Sequence, residues 1–138
     1  MTTVTVEQDL NAPAQAVWEA LSDFGGIKVG GPITSFETEG EGVGMVRTIG
    51  MGGGLVVERL DNHDAQALTF TYSIINEDAP LPVSDYSATV TVTATGDNSC
   101  HVNWSGSFDA KGDEAAAVQI VEGIYKGGIA GAKKATGG

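Results

Sequence analysis

Positive charge is scarce in this chain: 7 Lys and Arg stand against 18 Asp and Glu, a formal net charge of -11 over 138 residues. Such a surface repels phosphate backbones and anionic headgroups, so nucleic acid and an anionic membrane are excluded as partners. The plain reading of the acidity is solubility. Cysteine is reduced to Cys100, which leaves no internal disulfide and suits a reducing compartment. Its neighbours Ser99 and His101 do not mark it as a nucleophile, so a structural thiol is expected. His63 and His101 have no second histidine or cysteine at ligand spacing, and no metal site is expected. No apolar run approaches the roughly 20 residues that span a bilayer. MTTVTVEQDL lacks the basic and apolar regions of a signal peptide. The cluster from Gly50 to Gly54 fails the dinucleotide pattern at Leu55, and no GK[ST] follows, so no nucleotide or redox cofactor is expected. Asn103-Trp104-Ser105 is a chance sequon without a secretory route. The expectation is a cytoplasmic protein without membrane insertion.

What is present is globular. Hydrophobic residues make up 41% and charged residues 18%, enough for a core within one domain over residues 1–138. Val4 to Leu10 alternates like a strand. Pro13 sits where helices begin, Val17, Trp18 and Leu21 share a face over Ala14 to Phe24, and Gly25-Gly26 ends that helix. A short helical or irregular stretch is expected over Ile27 to Gly31, closed by Pro32. Six further strands follow: Ile33–Glu39, Met45–Met51, Leu55–Leu60, Leu68–Ile75, Asp85–Thr95 and Cys100–Phe108. They are separated by Gly40-Glu41-Gly42, the glycine cluster, Asp61-Asn62-His63-Asp64, Pro80-Leu81-Pro82 and Gly96-Asp97-Asn98. Val90, Val92 and Ala94 alternate with Thr89, Thr91, Thr93 and Thr95, the mark of a sheet covered on one side.

A long helix closes the chain, Asp113 to Lys134, with acids in its first turn and lysines in its last. Ala117, Ile120, Val121, Ile124, Gly128 and Gly131 form its expected buried face. Gly123, Gly127, Gly128 and Gly131 each cost about 1 kcal/mol relative to alanine, so they imply close packing or room for a bound molecule. One strand, one helical segment, six strands and one long helix give an α+β fold. The economical arrangement is a seven-stranded curved antiparallel sheet wrapped around the C-terminal helix, with a cavity between them.

This order, and the segments APAQAVWEALSDFGGI, GVGMVRTI, VVERLD, FTYSII, LPVSDYSATVTVT, HVNWSGSF and VEGIYKGGIAGAKK, resemble the START-like, SRPBCC or Bet v 1-like superfamily of helix-grip proteins. Within it the chain is most similar to the bacterial polyketide cyclase/dehydrase type 2 group. More distantly, Gly50–Val92 resembles the plant abscisic-acid receptors. That resemblance implies a gate loop at Gly50–Leu55, a latch at Pro80–Val83, and Glu58 and Tyr86 in a ligand pocket. Here the gate is shorter, and Thr34 stands where the receptors place a lysine for the ligand's carboxylate, so a carboxylate-bearing hormone is not implied.

The candidate site residues carry a functional and a structural reading each. Glu58 and Arg47 fall on neighbouring strands: inside a cavity they are a strained polar pair able to bind or to move a proton, on the outside an ordinary ion pair. Glu58 is the one candidate for a catalytic residue. Tyr72, Tyr86, Trp104, Phe70 and Phe108 are strand aromatics that serve as core or as pocket lining. Tyr125, on the last helix, lies at the border between packing and contact, and Leu81 in the proline turn is a further lining candidate. The resemblance implies binding of a small hydrophobic ligand, including lipid. The alternative is a polyketide cyclase or dehydratase acting on a carbonyl compound, and a third reading is an accessory domain with a filled cavity. Pairing with a second copy through the gate loops stays open.

Overall fold

A computed structural model describes residues 1–26, 29–30 and 33–138. The stretch expected over Ile27–Gly31 and Pro32 lies mostly outside the described residues. The elements are β1 (Thr2–Leu10), α1 (Ala14–Ser22), β2 (Ile33–Glu39), β3 (Val46–Met51), β4 (Gly54–Asp64), β5 (Thr69–Ile74), β6 (Val83–Gly96), β7 (Ser99–Ala110) and α2 (Glu114–Thr136). The strands form one antiparallel, curved sheet in the order β1-β7-β6-β5-β4-β3-β2. Register shifts between Leu60 and Asn62, Ser84 and Ser87, and Ala94 and Gly96 bend it. The expected helix-grip architecture is therefore the one observed.

Alternation sets the two faces. On β1, Val4 and Leu10 are buried while Thr3, Thr5, Glu7 and Asp9 are exposed. On β6, Val90 and Val92 are buried, and Thr89 and Thr91 bond the hydroxyls of Thr71 and Thr69 on the outer face. The inner face and the two helices enclose a core that includes Val17, Val102, Phe108, Val121 and Ile129, all at 1% exposure or less. Burial of Cys100 pushes its thiol pKa up, in keeping with a structural thiol.

Three local expectations are corrected. Asp61–Asp64 is not a turn: β4 continues through it by way of the bulge, and the turn follows at residues 65–68. Asp64 Oδ1 fixes that turn by accepting from the amides of Gln66 and Ala67. The buried face of α2 is Ala117, Val121, Tyr125, Ile129 and Ala132, and Ile120 and Ile124 remain 43% and 38% exposed. The helix is turned so that Tyr125, its largest apolar surface, points inward. Its glycines also divide. A Cβ on Gly128 would lie 2.4 Å from the Trp104 ring, whereas Gly123, Gly127 and Gly131 have nothing within 4 Å. Only the first of these reflects close packing.

Candidate functional site

Arg47 on β3 and Glu58 on β4 are direct cross-strand partners. Glu58 lies between buried Val56 and Leu60 on the inner face, and is itself 8% exposed. Arg47 Nε donates to Glu58 Oε1 at 2.7 Å, and a terminal guanidinium nitrogen donates to the Phe24 carbonyl at 3.2 Å. The guanidinium also lies 3.8 Å from the centre of the Phe24 ring and 5.5 Å from that of Tyr72. These ring faces favour a desolvated cation. An ion pair held on three sides keeps its partners in fixed positions, which one on the solvent face would not.

Next to this pair the core is aromatic and hydroxylated. Tyr72 from β5, Tyr86 from β6 and Tyr125 from α2 join their hydroxyls in a chain, with oxygen–oxygen distances of 3.2 Å and 2.6 Å. Trp104 Nε1 donates to the Tyr72 oxygen at 3.3 Å. Trp104 stacks on Tyr125 with centroids 5.0 Å apart, and Phe108 stacks on Tyr86 at 6.1 Å. Gly106 makes this assembly fit: a Cβ there would meet the Tyr125 hydroxyl. Burial pushes all three phenols upward, Tyr125 to about 12 and Tyr72 and Tyr86 further. They are donors and acceptors of hydrogen bonds at neutral pH, not bases.

Tyr86 points inward because of a bulge. Val83 is buried, Ser84 and Asp85 are not, and Tyr86 is buried again. Asp85 takes φ 50° where the register slips between Ser84 and Ser87. That extra residue restores inward parity for Tyr86 and Ala88. Beside the bulge a cavity of about 500 Å³ opens, lined by the end of β5 and the residues after it (Ile74–Glu77), by Val83–Tyr86 and by Lys111. Lys111 bridges its rim, donating from Nζ to the Glu77 carbonyl at 2.6 Å.

The two glycine- and proline-bearing loops meet at one end of the sheet. Gly52 and Gly53 form the two-residue turn between β3 and β4, with φ of 59° and 81°, the geometry of a tight hairpin. A Cβ on Gly54 would be 3.3 Å from the Pro80 side chain, so the loops touch. Asn76 ties the same end together, accepting from Val57 N and donating to the Leu55 carbonyl.

The structure thus brings the sequence candidates into two adjoining groups, Arg47 with Glu58, and Tyr72, Tyr86, Trp104 and Phe108. Tyr86 lines the cavity; Arg47, Glu58, Trp104 and Phe108 do not. Leu81 is partly buried against the core. One contributor escaped sequence reading, and another, Tyr125, was read as lying between packing and contact. Phe24 supplies both a ring and a carbonyl to Arg47, and Tyr125 closes the hydroxyl chain. The spacing of Tyr125 from Ala117 and Val121, at 8 and 4 residues, places it on the buried face. Among the described residues no group of three or more acidic, histidine or cysteine side chains is placed to hold a metal. Nor is any helix there long and apolar enough to cross a membrane.

With this geometry the chain matches, over residues 1–137, the model of a family described as polyketide cyclase / dehydrase and lipid transport. The chain belongs to that family. Among solved structures, this polyketide cyclase/dehydrase family member is similar to the protein XoxI from Bacillus cereus, at 28% identity and a TM-score of 0.84, covering 99% of this chain and 96% of that one. A putative uncharacterized protein from Bacillus thuringiensis matches at 28% identity and 0.83, covering 98% of each chain. Norcoclaurine synthase from Thalictrum flavum, a Bet v 1-like protein, shares the fold at 22% identity and 0.72, over 98% of this chain and 83% of that one. No curated protein matches the sequence.

Proposed function

We propose that this polyketide cyclase/dehydrase family member binds a small hydrophobic ligand in the cavity beside the β6 bulge, and not between the curved sheet and α2 as expected, where Tyr72, Trp104, Phe108 and Tyr125 fill the space. The supporting observation is the cavity of about 500 Å³ that reaches Tyr86, of a size that suits a compact polycyclic or short acyl molecule. Affinity comes from apolar area removed from water, and selectivity from polar groups that line the cavity, Tyr86 and Lys111 among them. The touching loops at Gly52–Gly54 and Pro80 serve as gate and latch, closed in this conformation. The family description includes lipid transport. Norcoclaurine synthase has been solved in complex with dopamine and hydroxybenzaldehyde, so a sheet of this kind can hold small aromatic molecules.

A second reading, cyclase or dehydratase chemistry on a carbonyl compound, is favoured by the buried position of Glu58 against Arg47, where a carboxylate is held ready to move a proton. Native mass spectrometry of protein taken directly from its host tests the binding reading. A retained small molecule is the expected result, and an empty chain counts against it. Glu58→Gln separates the two readings. For a binder, affinity changes by about tenfold or less; for an enzyme, turnover disappears while binding persists.

A further inference from the structure

Strands β5 and β6 separate at one end of the sheet. Their register runs from Thr69↔Thr91 to Ser73↔Ser87, and beyond it Ile74–Glu77 and Val83–Tyr86 form no further pair. The two lips stay with different neighbours. Ile74 remains opposite Glu58 on β4, and Ile75 N donates to the Val57 carbonyl at 2.9 Å. Val83 and Ser84 remain opposite Ala110 and Asp109 on β7, and Lys111 N donates to the Pro82 carbonyl at 2.8 Å. The cavity of about 500 Å³ is the gap left between them, since those same two segments line it. Along an antiparallel strand, successive residues turn their N–H and C=O to opposite sides. Ile75 turns its own to β4, so Ile74 and Asn76 turn theirs into the gap. Among the described residues neither backbone group of Asn76 has a hydrogen-bond partner. Its side chain is committed to the other side, to Val57 N and the Leu55 carbonyl. The bond that does span the gap, from Lys111 Nζ to the Glu77 carbonyl at 2.6 Å, comes from a side chain and not from a strand.

We propose that this gap takes a short extended peptide with apolar side chains, which continues the interrupted ladder at Ile74 and Asn76. The proposal rests on the ligand-binding reading above and names its ligand. A strand edge recognises main chain, and unmade backbone bonds in a sheltered place favour whatever completes them. Each lip is four residues long, about 13 Å at the rise of a strand, so a peptide of similar length can lie along it. Ile74, Ile75 and Val83 also line the cavity, and they give apolar side chains a surface on which to lose water.

Acetyl-Val-Ala-Val-amide, and the same peptide with each internal amide in turn replaced by an ester, test this on the intact wild-type protein. An ester removes one N–H and leaves the shape nearly unchanged. By calorimetry the parent peptide should bind, and at least one ester should bind about five- to tenfold more weakly, the equivalent of one net buried hydrogen bond. Amide hydrogen exchange should slow at Ile74 and Asn76 when the peptide is bound. It should not slow along β1 or β2, the strands that end the sheet. Equal affinity of the parent and every ester, or slowing confined to β1 or β2, overturns the proposal. If the peptide does not bind while fluorene, a compact apolar molecule without amides, does, the peptide proposal fails and the ligand-binding reading stands. If neither binds, both fail.

Discussion

The two halves of the sheet are built differently. Strands β1, β7 and β6 lie under the helices: α2 rests on β1 and β7, α1 on β6 and β7, and the helices on each other. Their inner face is apolar, apart from the tyrosine hydroxyls. Strands β2, β3 and β4 have no comparable helix contact among the described residues. Ile49 and Val56 are buried there yet stand outside the contiguous core, and the same half carries the Arg47–Glu58 pair. One half is filled against the helices; the other carries a buried polar pair that no helix covers among the described residues. The tyrosine chain runs along the seam between them.

The largest effect should come from breaking the ion pair. Arg47→Met leaves Glu58 buried without its partner and should cost about 3–5 kcal/mol in urea unfolding. The double variant Arg47→Met/Glu58→Leu should recover most of that loss, because two apolar groups of similar size need no desolvation. If the double variant is as unstable as the single one, the pair contributes through packing and the contrast between the halves weakens.

A smaller effect distinguishes the glycines of α2. Gly128→Ala places a methyl group against the Trp104 ring and should lower the thermal midpoint, in the range of about 1–3 kcal/mol for an overpacked contact. Gly127→Ala faces open space and should raise stability by up to about 1 kcal/mol through helix propensity. Opposite signs at adjacent positions would place the close helix–sheet approach at Trp104. Equal signs would remove it from the account.

The smallest effect lies on the outer face of the helix-covered half. His101 is held by Asp9 at 2.7 Å and by Glu7 at 3.1 Å, and the hydrogen bond to Asp9, followed by that to Glu7, raises its pKa above 6.5. A raised folded-state pKa favours the protonated form. Its stabilisation is therefore complete below about pH 6.5 and is lost as pH rises through the raised folded value. Because these groups are exposed, the change should be a few tenths of a kcal/mol and should fade with salt. Comparing the wild-type protein with His101→Gln by thermal melting at pH 5.5 and 8.5 isolates it. An identical pH dependence in both would remove His101 as its source.

How far the sequence could be read depended on whether the signal was local. The Val/Thr alternation of β6 gave a one-sided sheet, since side chains repeat every two residues along a strand. Asp113 announced the start of α2, and it does cap Ala115 N. Asp61–Asp64 misled because its residue types favour turns, while the pairing of His63 and Asp64 with Phe70 and Thr69 extended the strand instead. The face of α2 misled because Ile120 and Ile124 are apolar and regularly spaced, and regular spacing does not say which stripe meets the sheet. Within the site, Glu58 and Arg47 were legible as cross-strand partners. Their support by Phe24, from the turn that follows α1, was not.

The sequence by itself determined the strand and helix order, the two-faced alternation of β1 and β6 and the acidic surface, because each follows from residues close together in the chain. Only the tertiary structure decided which half of the sheet the helices cover, that Tyr125 completes a hydroxyl chain with Tyr72 and Tyr86, and that Gly106 and Gly128 exist to admit Tyr125 and Trp104. Those outcomes depend on how groups up to some 50 residues apart fill a shared volume, and no local pattern encodes that.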